Sequence, residues 1–153
     1  MTTSSPHVGL LVTCLVDTIR PEIGFATLKL LEDAGCTVSV PETQTCCGQP
    51  GLNSGAREES IPLAKQVIRA FRRFDYVVAP SGSCLGTVKT HYPELFADDP
   101  DWLAEAEDLA SRSYEILSFL HDVCGWQPRD VQYEGTATYH HTCSGLRELG
   151  VYE

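Results

Sequence analysis

Short apolar runs rich in branched residues alternate with amphipathic stretches along this chain, and that alternation limits its possible folds more than any other feature. Residues 8–13 (VGLLVT), 36–40 (CTVSV), 76–79 (YVVA) and 135–141 (GTATYHH) read as four strands. The first and third are almost continuously apolar, as strands covered on both faces are. Between the first two, Thr18 can cap a helix and Pro21 fits its first turn; Ile23, Ala26, Thr27, Leu30, Leu31 and Ala34 then recur at helical spacing until Gly35. Residues 56–74 place Ile61, Ala64, Val67, Ile68 and Phe71 on one helical face. A short helix is expected up to Phe96, and a long one over residues 102–124 with Leu103, Ala106, Ala110, Leu117 and Leu120 inward. Residues 42–55 are a loop rich in Gly, Thr, Gln and Asn, and Ser144 opens a last helical turn. Strands joined through helices pair in parallel by right-handed crossovers. The expected fold is therefore α/β: a three-layer sandwich with a short parallel sheet of about four strands flanked by helices. With 153 residues, 42% of them hydrophobic and 21% charged, the chain can build such a packed unit.

In a parallel sheet, ligands bind beyond the carboxyl ends of the strands. On this reading Cys14, Cys84 and Cys143 fall just past strands one, three and four, and Cys46 and Cys47 lie in the loop after strand two. Five of the seven cysteines thus converge on one edge, in the pattern C-x31-C-C-G-x35-C for the first four. An odd count of cysteines argues against a disulfide framework. Residues 1–7 put no Lys or Arg ahead of an apolar core, so no signal peptide is read there. The longest apolar stretch, residues 8–16, falls short of the roughly 20 residues that cross a bilayer. A cytoplasmic protein is expected, with thiols that are buried, redox-active or metal-bound. Eleven Lys and Arg against twenty-one Asp and Glu give a net charge of −10, which disfavours nucleic acid and anionic membrane as partners. No G-x-G-x-x-G follows any strand, so no flavin or nicotinamide dinucleotide is expected. Thiolates are soft ligands suited to iron-sulfur clusters and zinc, and an adjacent pair held by a Gly-containing turn can offer two sulfurs to neighbouring metal atoms.

The stretches VTCLVD (residues 12–17), CCGQP (46–50), NSG (53–55), PSGSC (80–84) and HTCSGLRELGV (141–151) resemble the cysteine-rich CCG domain. That domain occurs in the family of lactate-utilisation protein A, the glycolate oxidase iron-sulfur subunit and the cysteine-rich subunit of heterodisulfide reductase. The resemblance implies an iron-sulfur electron-transfer subunit, working with partner subunits in a complex that oxidises a 2-hydroxy acid, lactate or else glycolate, rather than a stand-alone enzyme. It implies Cys14, Cys46, Cys47 and Cys84 as cluster ligands, with Cys143 a weaker candidate. Ser81 stands three before Cys84 and Thr87 three after, where related domains often complete C-x-x-C, so the resemblance favours an ordinary four-cysteine 4Fe-4S cluster over a five-cysteine one. Residues 1–134 are expected to form the first CCG domain, and residues 135–153 the start of a second, truncated repeat packed on the same sheet. No second Cys-Cys pair follows Cys143, so the second site is not expected to form.

Rival readings remain open from the residues alone. Four thiolates would also satisfy a zinc-bound structural or interaction domain, although no paired C-x2-C knuckles exist, and the site could stand empty. Cys14 and Arg20 form C-x5-R after the first strand, the layout of a phosphatase or arsenate reductase loop. Against it, the intervening residues contain no Gly and Asp17 would repel a phosphate. Adjacent Cys46 and Cys47 could form only a strained disulfide. Cys36 and Cys124 read as small core residues. His140 and His141 flank the expected site and could hydrogen-bond a cluster sulfur. Arg57, Lys65, Arg69, Arg72 and Arg73 form a basic stripe that would suit an acidic redox partner. Oligomerisation is left open.

Overall fold

A computed structural model of the chain describes residues 5–129 and 131–151; the expected domain ends at residues 1 and 153 lie outside them. Four strands, β1 (His7–Leu10), β2 (Thr37–Ser39), β3 (Tyr76–Ala79) and β4 (Ser113–Glu115), form one sheet in the order β2-β1-β3-β4. Every pairing is parallel, with Val8 opposite Val38 and Tyr76, and Val78 opposite Tyr114. The helices are α1 (Cys14–Ile19), α2 (Pro21–Asp33), α3 (Gln49–Asn53), α4 (Arg57–Phe71), α5 (Gly82–Gly86), α6 (Tyr92–Leu95), α7 (Pro100–Ser111), α8 (Ile116–Ser118) and α9 (Cys143–Arg147). Wider π turns follow α5 at Thr87–His91 and α8 at Phe119–Val123.

Side chains alternate across each strand, so the sheet feeds two separate cores. Val77, Ala79 and Leu11 join α4, α5, α6 and α7 through Ala64, Ile68, Phe71, Leu85, Tyr92 and Leu109. Val8, Leu10 and Val78 face the other way, against Leu31 of α2 and Ile116, Phe119 and Leu120. Two cores on opposite faces of one sheet are the expected three-layer sandwich. Gly9 lies between Val8 and Leu10 and faces α4 at very close range. A Cβ placed on it would lie 2.7 Å from the Phe71 ring and 2.8 Å from that of Phe74.

The fourth strand is where the structure departs from expectation. Residues 135–141 contain no strand and lie almost wholly exposed, whereas β4 interrupts the helical pattern of residues 102–124. The cause is a set of tertiary hydrogen bonds. The Val77 N–H on the free edge of β3 donates to the Arg112 carbonyl (2.9 Å). Lys89 Nζ donates to the carbonyls of Ala110 (2.9 Å) and Ser113 (3.0 Å), which a continuing helix would have used itself. Arg112 turns back to the carbonyls of Phe71 and Phe74, and buried Ser113 donates its hydroxyl to Leu109. Glu115 then caps α8, accepting from the N–H groups of Leu117 and Ser118.

The basic stripe is largely spent inside the fold. Lys65 and Arg69 lie 4.5 and 4.9 Å from the centre of the Trp102 ring, Lys65 pairs with Asp99, and Arg72 forks onto Glu105. These contacts clasp α4 to α7, and Arg57 donates to the carbonyls of Glu94 and Leu95 at the end of α6. Among the described residues, no helix is long and apolar enough to cross a membrane.

Gly9→Ala is expected to cost about 1–3 kcal/mol, because the two rings it would meet belong to a filled core and cannot withdraw. The measurement is a urea unfolding midpoint with unchanged slope; a variant as stable as the parent would show that this contact does not limit helix-to-sheet distance.

Candidate metal centre

The carboxyl ends of β1, β2 and β3 open onto one edge, and each leads into a segment that carries cysteine. Cys14 is the first residue of α1, four positions past β1. Cys46 and Cys47 precede α3, and Cys84 sits within α5, after β3. Gln44 fixes the second of these segments against the first. Its Oε1 accepts from the Val12 N–H at 2.9 Å, and its Nε2 donates to the carbonyls of Leu10 and Pro41. Gln66 of α4 adds a bond to the Thr43 carbonyl.

With the loops pinned in this way, Cys14 Sγ and Cys46 Sγ stand 3.7 Å apart. Cys47 and Cys84 are the second pair and lie deeper, both buried. Cys14, Cys47 and Cys84 line one cavity of about 260 Å³ together with Ser81, Ser83, Gln49 and Pro50. Cys46 faces an adjoining cleft of about 320 Å³ on the far side of Cys14. Gly48 makes the Cys-Cys turn possible. Its φ of 84° suits glycine, and its N–H donates to Cys46 Sγ at 3.5 Å. Thr13, immediately before Cys14, holds φ 72° and ψ 146°, a region otherwise almost reserved for glycine.

Charge is distributed unevenly among the sulfurs. Cys84 is pulled down to about 6, chiefly because the Cys47 thiol donates to it, with the Ser81 and Ser83 hydroxyls adding to the effect against burial. Cys47 is pushed far upward by giving its proton to that bond and by burial. Cys14 is raised, by the partial burial of its sulfur first and then by Cys46 and Cys84. Within the deeper pair Cys84 is the sulfur favoured as a thiolate and Cys47 the one favoured to keep its proton. Tyr92, fully buried, donates its hydroxyl to the Cys47 carbonyl at 2.9 Å. Burial and the neighbouring thiol groups raise it well above the ordinary phenol range, so it remains a donor.

Four cysteines therefore lie at the edge where the sequence places them, and Cys143 comes toward it only through α9, which packs on the α5 that carries Cys84. The position expected for Cys143 rested on a strand at residues 135–141; instead this residue begins α9, exposed, and lines neither cavity. His140 and His141 line neither as well, and His141 packs on Tyr139. The phosphatase layout is overturned. Residues 14–19 are helical, so Cys14 and Arg20 sit at opposite ends of about 9 Å of helix, and Arg20 is exposed and paired with Glu22. The sequence marks Ser81 only as standing where C-x-x-C would place a cysteine, and it does not single out Ser83, Gln44 or Tyr92. The spacing S-x-x-C could have flagged Ser81 as a cap, since its Oγ accepts from the Cys84 N–H. Tyr92 carried no signal.

The donor set is all sulfur, and it stands as two pairs. Among the described residues, no three His, Cys, Asp or Glu side chains are close enough together to hold a single ion. A lone zinc would need its sulfurs about 2.3 Å from one centre. The 3.7 Å between Cys14 Sγ and Cys46 Sγ suits two sulfurs of such a tetrahedral site, whereas an iron-sulfur cluster spreads its protein ligands over several iron atoms, so the two pairs would separate on taking one up.

The family description "CCG: Cysteine-rich domain" matches residues 8–89, the span that carries all four cysteines. Lactate utilization protein A of Geobacillus kaustophilus (strain HTA426) is 50% identical over 144 residues, covering 94% of this chain and 60% of that protein. The protein of the same name from Oceanobacillus iheyensis is 47% identical over 144 residues, covering 94% and 59%. That of Macrococcus caseolyticus is 46% identical over 143 residues, covering 94% and 58%. The chain thus spans about 60% of the length of these curated relatives. No solved structure matches it.

The charge pattern is directly measurable. Ultraviolet thiolate absorbance of the metal-free, reduced chain is expected to show one step with a midpoint at about 6. Cys84→Ser should abolish that step, and Ser81→Ala should shift it upward. A step that persists in Cys84→Ser would place the thiolate on another cysteine.

Proposed function

The chain belongs to the CCG cysteine-rich domain family, and from that premise we propose that it is the iron-sulfur part of a lactate-utilisation system. On this reading it relays electrons from 2-hydroxy-acid oxidation to partner subunits, with lactate as the favoured substrate of the complex. The observation that carries the reading is the convergence of Cys14, Cys46, Cys47 and Cys84 around adjoining cavities on one sheet edge. The names of the relatives support the lactate assignment.

Cys14, Cys46, Cys47 and Cys84 would hold the cluster, of the 4Fe-4S type. When bound, such a cluster supplies a one-electron carrier whose potential follows the charge, hydrogen bonds and solvent exposure of its sulfurs. The chain's own residues prepare that environment. The Cys47 thiol first, and then the Ser81 and Ser83 hydroxyls, favour a thiolate at Cys84; the two serines remain as donors to that sulfur once Cys47 gives up its own proton to bind. The Gly48 N–H points at Cys46 Sγ, a backbone donor that steadies negative charge on that sulfur. Tyr92 fixes the Cys47 carbonyl and closes the inner wall, leaving Cys14 and Cys46 as the more exposed sulfurs facing a partner.

Iron, acid-labile sulfide and zinc per chain, measured after anaerobic reconstitution, test this. About four iron and four sulfide are expected, and Cys46→Ser combined with Cys47→Ser should lose them. No iron in either protein, or one zinc in place of iron, would sink the reading.

A further inference from the structure

Three cysteines lie outside this centre, and the structure brings two of them together although they are 88 positions apart. Cys36 Sγ and Cys124 Sγ lie 3.9 Å from each other on the α2 side of the sheet. Cys36 immediately precedes β2, at the opposite end of the strand from the loop bearing Cys46, so this pair is remote from the centre. Both backbones are held. After α2, Gly35 takes φ 87° and the Cys36 N–H donates to the Leu31 carbonyl at 3.0 Å. At the end of the π turn after α8, the Cys124 N–H donates to the Phe119 carbonyl at 3.1 Å, and Gly125 turns the chain at φ 58°. Cys36 is buried against Leu31 and Val8, whereas Cys124 is half-exposed.

We propose that Cys36 and Cys124 form a second, metal-free dithiol site that small disulfides oxidise to an intramolecular disulfide. The exposed member reacts first. The Cys124 thiolate attacks one sulfur of a small disulfide such as oxidised glutathione, the S–S bond breaks, and one glutathione leaves as thiolate. Cys36 then loses its proton to that thiolate and attacks Cys124 Sγ, releasing the second glutathione. The two protein thiols are oxidised by two electrons and the small disulfide is reduced to two thiols. Burial and the neighbouring Cys124 push Cys36 up to about 12, which fits a resolving thiol that does not react on its own. The bond would join the segment entering β2, one sheet edge, to the segment following β4, the other edge. Closing so long a loop restrains the unfolded chain, so oxidation is expected to raise the unfolding temperature.

The test equilibrates the full chain, reduced and metal-free, in glutathione buffers of increasing oxidation, followed by alkylation, digestion and peptide mapping by mass spectrometry. The expected result is a cross-link between the peptides containing Cys36 and Cys124. The Cys46→Ser, Cys47→Ser variant should retain that cross-link, which keeps this outcome separate from the fate of the cluster reading. In Cys36→Ser, Cys124 should stop as a glutathione adduct; in Cys124→Ser, Cys36 should stay a free thiol. Should either variant misfold, the map of the unsubstituted chain decides. Both cysteines alkylated throughout, both carrying separate adducts, or cross-links shared with Cys14 or Cys46 would overturn the proposal.

Discussion

Parallel pairing on both sides of β1 is the constraint from which the candidate centre follows. Because β2 and β3 run in the same direction as β1, the segments leaving all three emerge on one edge, and the crossovers must return over the faces as helices. Residues dozens of positions apart in sequence then stand within a few ångström without any segment being dedicated to holding them. The helices needed for the crossovers supply the two cores, and the packing of α4 on Gly9 sets the distance at which the sheet and that layer meet.

Within the centre the sulfurs are not equivalent, and the inequality comes from hydrogen bonding more than from burial. Cys47 and Cys84 are buried to a similar degree, yet one is pushed up and the other down, because one donates and the other accepts. The Ser81 and Ser83 hydroxyls add to the pull on Cys84, while the Gln49 N–H gives Cys47 a smaller pull of the same sign. A set of four thiols is thus already polarised before any metal is considered, with the negative charge innermost and the less buried Cys14 and Cys46 toward the surface.

Much of this was readable from residues alone. The runs at β1, β2 and β3 carry their own apolar signal, α2 and α4 carry helical periodicity, and the cysteine spacing names the edge. What escaped was set by contacts between distant parts. Ser113, Tyr114 and Glu115 have no strand character of their own; they are drawn into the sheet by the open edge of β3 and by Lys89, which takes the carbonyls a helix would use. Residues 135–141 have strand composition but pair with neither outer strand of the sheet. The meeting of Cys36 with Cys124 depends on how α2 and the turn after α8 cross the same face, which no local pattern encodes.

The backbone at Thr13 has a consequence for how this sequence would change under selection. A branched residue held at φ 72° and ψ 146° carries a cost on the order of 1–3 kcal/mol that glycine would avoid. Selection of variants for heat resistance alone, with no demand on the cysteines, would drive position 13 toward glycine. A lineage that keeps threonine there under such pressure would reveal that the fixed entry into α1 is worth more to it than the stability forgone.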